Sequence, residues 1–147
     1  MADKGTQVSR RTFLTCAAVG TAGVALEGLI GCAAALTYPA TVVEGQISLS
    51  RSKLEQLAGL NRPVVVKAPD LLDPVILIPV DEKTFWAVSA KCTHLGCHVR
   101  PAKSFLVCPC HGSTFNLRGE IVRGPASSAL TTYPVEVNGD EIKIILF

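Results

Sequence analysis

Cys92-Thr93-His94-Leu95-Gly96-Cys97 and, further on, Cys108-Pro109-Cys110-His111-Gly112-Ser113 are the two stretches on which the reading of this chain turns. Thiolate and imidazole are the side chains that hold soft and borderline metals. Cys92 with His94 and Cys108 with His111 supply two sulfur and two nitrogen donors. That set fits a tetrahedral structural zinc. It also fits a two-iron centre in which two histidines replace two cysteines on one iron. Cys97 and Cys110 are left over, and a four-ligand zinc site has no use for them. Gly96 and Gly112 stand where a loop must turn tightly around a metal, so a positive φ is expected at both.

Outward from the loops, the chain is a series of short strands. Residues 42–49 alternate and read as one strand. Residues 50–60 place leucines at 54, 57 and 60, with Ser50 or Ser52 as N-cap and Gly59 near the end, which predicts one short helix. Residues 63–68 and 75–80 are β-branched runs separated by a Pro/Asp-rich turn. Asp81-Glu82-Lys83 predicts a hairpin turn into residues 84–89. Phe105-Leu106-Val107 and Ile121-Val122 read as short strands beside the second loop. Residues 132–137 and 141–147 flank Asn138-Gly139-Asp140, a hairpin signal. Many closely spaced strands with one small helix predict an all-β sandwich or barrel. The two candidate metal-binding loops would form a small subdomain inserted between two of its strands.

A chain of 147 residues with a net charge of +2 suits one domain and shows no nucleic-acid footprint. Its apolar content is concentrated in the first forty or so residues. Ser9-Arg10-Arg11-Thr12-Phe13-Leu14 has the form of a twin-arginine export signal, with Thr15 where a lysine is common. Residues 12–38 are apolar and exceed the about 20 residues that cross a bilayer. The arginines ahead of them predict a cytoplasmic N-terminus and a head on the outer face. Glu27 inside the run is costly in lipid unless neutral or paired. Three fates stay open: a retained anchor, cleavage near Ala33-Ala34-Ala35, or a lipobox at Leu29-Ile30-Gly31-Cys32. Cys16 reads as a small apolar filler, as does Cys32 if the anchor is kept. Each fate leaves the head outside the cytoplasm.

The CTHLGC and CPCHGS stretches, followed by Gly124-Pro125-Ala126, resemble the Rieske iron–sulfur proteins of the disulfide-containing, bc-complex and arsenite-oxidase type. The resemblance spans roughly residues 42–147. It implies a Rieske-type antiparallel sandwich with an inserted cluster-binding subdomain within residues 90–126, preceded by one N-terminal hydrophobic helix. The segments would be 1–38 signal or anchor, 39–45 a tether, and 46–147 the domain. It implies one [2Fe-2S] cluster per chain, with Cys92 and Cys108 on one iron and His94 and His111 on the other. Cys97 and Cys110 would form a disulfide, which suits an oxidising compartment. Gly124-Pro125-Ala126 would be the proline loop covering the cluster. Ser113 matches the serine that donates to a cluster sulfide, and Phe115 stands where high-potential members have a tyrosine. Histidine ligation sets such centres at about −150 to +300 mV, against about −400 mV for all-cysteine plant-type clusters. His98 reads as a surface or satisfied polar residue.

The function so implied is electron transfer, by a redox subunit rather than an enzyme alone. The leading expectation is the iron–sulfur subunit of a bc-type quinol:cytochrome c oxidoreductase. Quinol would meet the histidine tip in a pocket supplied largely by a cytochrome b-type membrane subunit, and a c-type cytochrome would accept the electron. The expected location is the outer, periplasmic face of a bacterial inner membrane. The alternative is the small Rieske subunit of an exported molybdenum oxidoreductase of the arsenite-oxidase kind. Soluble ferredoxins of ring-hydroxylating dioxygenases are disfavoured by the export signal and the extra cysteine pair.

Overall fold

The structure is a computed structural model that describes residues 35–147. The N-terminal helix, the signal motif, Cys16, Glu27 and Cys32 lie outside the described residues. Among the described residues, no helix is long and apolar enough to cross a membrane.

Three sheets make up the head. The central one runs in the order β1 (Thr37–Pro39), β4 (Val64–Lys67), β5 (Val75–Pro79), β6 (Phe85–Ser89), β11 (Thr132–Tyr133). A second sheet has the order β12 (Val135–Asn138), β13 (Glu141–Ile145), β3 (Gln46–Ser50), β2 (Val42–Val43). The third, β10 (Ile121–Arg123), β9 (Thr114–Asn116), β8 (Phe105–Val107), β7 (Arg100–Ala102), falls in sequence between β6 and β11. It is the inserted subdomain that the sequence predicts.

The central sheet is covered on both faces, and the period-two alternation of strands decides which residue goes where. Val64, Val66, Val75, Leu77, Phe85 and Ala87 join Ile47, Leu49, Ile142 and Ile144 in one core. The intervening Val65, Ile76, Ile78 and Val88 join Val99, Leu106, Phe115, Ala126 and Leu130 in the other. This accounts for the unbroken apolar runs at 64–66 and 75–78, since a sheet buried on both faces has no polar side to alternate with. At about 1.5–3 kcal/mol for each large apolar side chain removed from water, the second core is what fastens the insert to the sandwich.

The one helix among the described residues, α1 (Arg51–Ala58), is capped as expected. Ser50 accepts from the Lys53 amide, and Gly59 in the left-handed region donates to the Glu55 carbonyl. Leu54 and Ala58 face the first core. Asp140, in the β12–β13 hairpin, accepts from the Ser52 amide and the Ser50 hydroxyl, both at 2.8 Å. The Ser52 amide, then the serine hydroxyls, hold its carboxyl below the usual aspartate value.

Three differences from the sequence reading have local causes. Residues 42–49 are two strands, because Glu44 and Gly45 both adopt positive φ (50° and 74°) and turn the chain back. Paired positive φ angles make the turn that matches strand twist, and Glu44 concealed it. Residues 37–39 form a strand that the sequence reading did not give. Thr37–Pro39 pairs parallel with β4, with Val65 donating to Leu36 and Ala40 donating to Lys67, both at 2.8 Å. Strands β7 and β9 are too short and mixed in character to show a periodicity.

Candidate metal centre

The two loops share one backbone design. In the first, the Cys92 amide donates to the Cys97 carbonyl at 2.8 Å and Gly96 donates back to Cys92 at 2.9 Å. In the second, Cys108 donates to Ser113 at 2.8 Å and Gly112 donates back to Cys108 at 3.0 Å. Each chain end is thus closed on itself across a six-residue ring, and each ring needs one left-handed residue to close. Gly96 (φ 78°) and Gly112 (φ 76°) supply it, as expected from the sequence.

This geometry sorts the donors by depth. The Cys92 and Cys108 thiols are each 2% exposed and unpaired. His94 is half-buried and His111 is exposed. Their rings meet edge to face, with centroids 4.9 Å apart. Cys97 and Cys110 form the disulfide that joins the loops. The sulfurs of Cys97, Cys108 and Cys110 all lie within 4.8 Å of one another, so the disulfide sits directly against one buried thiol. Two of those three sulfurs are bonded to each other, which rules the trio out as a metal site of its own.

One atom tests the fit to a metal group. The Nδ1 of His94 is buried and has no hydrogen-bond partner. A buried polar atom without a partner carries a desolvation cost of about 1–3 kcal/mol, which a bound metal would offset. Two buried thiols and an orphaned imidazole nitrogen fit an iron–sulfur group that takes both sulfur and nitrogen donors.

Around this centre, Ser113 is fully buried and its Oγ accepts from the Ala126 amide at 3.0 Å. The acceptor side of the hydroxyl is therefore engaged, and its proton is free to be donated elsewhere. Ala126 belongs to the third loop, which contains a cis Gly124–Pro125 bond. Thr93 Oγ1 donates to the Ser128 carbonyl at 2.6 Å, tying the first loop to the same segment. Phe115 is fully buried in the second core.

The motif reading missed the residues that brace the first loop from below. Asp73, in the turn before β5, accepts from Lys91 Nζ and pairs with His98 Nε2, both at 3.1 Å. His98, expected to be a surface or satisfied polar residue, is exposed and paired. Partial burial pushes the Asp73 carboxyl up, yet hydrogen bonds from Lys91 and His98 outweigh it and hold it below the usual value. No local signal marks Asp73, because its partners are distant in sequence.

A family model described as "Rieske [2Fe-2S] domain" matches residues 50–134. Cytochrome b6-f complex iron-sulfur subunit 2 of Synechocystis sp. is 32% identical, over 95% of this chain and 84% of that protein. The chloroplastic cytochrome b6-f complex iron-sulfur subunit of Arabidopsis thaliana is 40% identical over 51% of this chain. The match spans only 34% of that plant protein. Among solved structures, the cyanobacterial plasma membrane Rieske protein PetC3 from Synechocystis PCC 6803 superposes with a TM-score of 0.55 at 31% identity. That match covers 66% of this chain and 96% of that one. A carbazole 1,9a-dioxygenase complex, at 20% identity and a TM-score of 0.54, shares the fold alone.

Proposed function

This chain belongs to the Rieske [2Fe-2S] domain family, and on that premise we propose that it is the electron-transfer iron–sulfur subunit of a bc-type quinol:cytochrome c oxidoreductase. The observation that carries the reading is the depth order of the donors. Two thiols are buried, while two orthogonal imidazoles stand at the surface where a partner can reach them. Cys92, Cys108, His94 and His111 would hold the group. When bound, it takes up and gives back one electron.

The chain's own residues account for the rest. Orphaned and buried, Nδ1 of His94 is the nitrogen to face a metal, which leaves Nε2 for a quinol hydroxyl. Half-exposed His94 and exposed His111 form a tip, and the remainder of a quinol site would come from a cytochrome b-type subunit. The disulfide holds the two loops against each other, the Thr93–Ser128 bond ties the first to the proline-loop segment, and the Cys92 and Cys108 thiols are kept from water. Phe115 lacks the hydroxyl that a tyrosine would bring, which supports a lower-potential donor such as menaquinol. The twin-arginine pattern and the likeness to a plasma membrane protein support a head on the outer face of a bacterial inner membrane.

A second reading, the small subunit of an exported molybdenum oxidoreductase, is favoured by one observation. Residues 37–39 and 42–50 are hydrogen-bonded into sheets or helix-capping contacts. A head that swings between donor and acceptor needs free chain, and residues 39–45 do not provide it.

Electron paramagnetic resonance of the reduced full chain, followed by quinol addition to its membranes, tests both. The expected outcome is a Rieske-type signal that quinol elicits, with reduction of a c-type cytochrome after it. Stoichiometric zinc in place of iron would end the cluster reading. A centre reduced only through a molybdenum-containing partner would replace the first reading with the second.

A further inference from the structure

The two ligand loops are matched inside but not at their stems. The second is flanked by β8 and β9, whose ladder pairs Val107 with Thr114, Leu106 with Phe115 and Phe105 with Asn116. Its ends therefore cannot part without breaking a sheet. The first has no ladder beneath it: its stem is a single isolated bridge between Lys91 and His98. Below that bridge, Val99 donates to Ala90 and Ala90 donates to Pro74, both at 2.8 Å.

Asp73 stands beneath this weak stem and holds both of its sides, one carboxylate oxygen on each. Without it, Lys91 and His98 would face each other across the bridge with no shared acceptor to hold them. We propose that Asp73 is a positioning residue for the metal centre: it replaces the missing ladder and keeps Cys92 and His94 in register with the second loop. Asp73 is in the 69–74 turn, and Pro74 from the same turn accepts from Ala90. Backbone and side chain of one turn thus grip the stem together. The proposal rests on the reading of Cys92 and His94 as ligands, but its first readout does not.

Matched internal bonds make the second loop a built-in control. Hydrogen exchange of the holo full chain is measured at Gly96 and at Gly112, whose amides make bonds of 2.9 and 3.0 Å to the first cysteine of their loops. Asp73→Asn should speed exchange at Gly96 by about five-fold, the weight of a strong exposed ion pair, and leave Gly112 unchanged. Release of the cluster on warming should quicken by a similar factor, and the resonance lines of the reduced centre should broaden. Lys91→Gln with His98→Gln should reproduce this, and adding Asp73→Asn to that pair should change nothing further, as expected for residues acting as one unit. Asp81→Asn removes a carboxylate from another exposed turn and should leave all three readouts at wild type. If Asp73→Asn fails to fold, the Lys91/His98 pair still decides the matter. Unchanged exchange at Gly96, equal acceleration at Gly96 and Gly112, or additive effects of the two sets would overturn the proposal. A wild-type chain with no Rieske-type signal would instead remove the ligand reading, while the exchange result stood.

Discussion

Ser113→Ala would separate a structural role from an electronic one at a single atom. The Ser113 Oγ is fully buried and accepts from the Ala126 amide at 3.0 Å. Removing it leaves that amide unpaired inside the second core, at a cost of about 1–3 kcal/mol. For a domain of this size the melting temperature should fall by about 4 °C for each kcal/mol. The substitution also removes the proton that the hydroxyl has free to donate. A hydrogen bond to cluster sulfur favours the reduced, more negative state, so its loss lowers the potential. One hydrogen bond contributes about 1 kcal/mol net. For a one-electron couple, where a tenfold change in equilibrium is 59 mV, the drop should be about 40 mV. Calorimetry and a redox titration of the same preparation read the two effects independently. A lower melting temperature with an unchanged potential would show that Ser113 only braces the proline loop. If neither moved, the contact with Ala126 would itself be refuted.

Three further outcomes follow from the same geometry. Cys97→Ser should speed cluster loss while leaving a Rieske-type signal, whereas Cys92→Ser should abolish it; the reverse pattern in resonance spectra would invert the ligand assignment. Phe115→Tyr adds a donor to a fully buried ring and should raise the potential by tens of millivolts, about the worth of one hydrogen bond, with no change implying that the hydroxyl cannot reach a sulfur. Asp73, Asp81 and Asp140 all have carboxyls held below the usual value. Their contribution to stability is therefore fully present above about pH 4 and is lost as pH falls through the lowered folded-state values. Acid titration of unfolding should show that loss, and Asp140→Asn should flatten part of it.

Legibility followed the range of the interactions. The helix was readable because its caps, Ser50 and Gly59, lie within a turn of the residues they satisfy. The loop glycines were readable because ring closure is local to six residues. Thr37–Pro39 was not, since its place depends on β4, far along the chain. The hairpin at Glu44–Gly45 hid behind a residue that rarely accepts positive φ.

The sequence by itself placed four candidate sulfur and nitrogen donors, two further cysteines and two turn glycines in short stretches, and spacing within a stretch limits what the side chains can hold. It also determined that the middle strands are apolar throughout, although not why. Only the tertiary structure decided that alternate residues of those strands serve two cores, one of which seats the insert. It alone placed a ladder beneath one loop, and beneath the other a single bridge whose two residues both contact Asp73. Contacts between residues brought together by folding leave no periodicity in the chain, so they become visible only once the sheets are assembled.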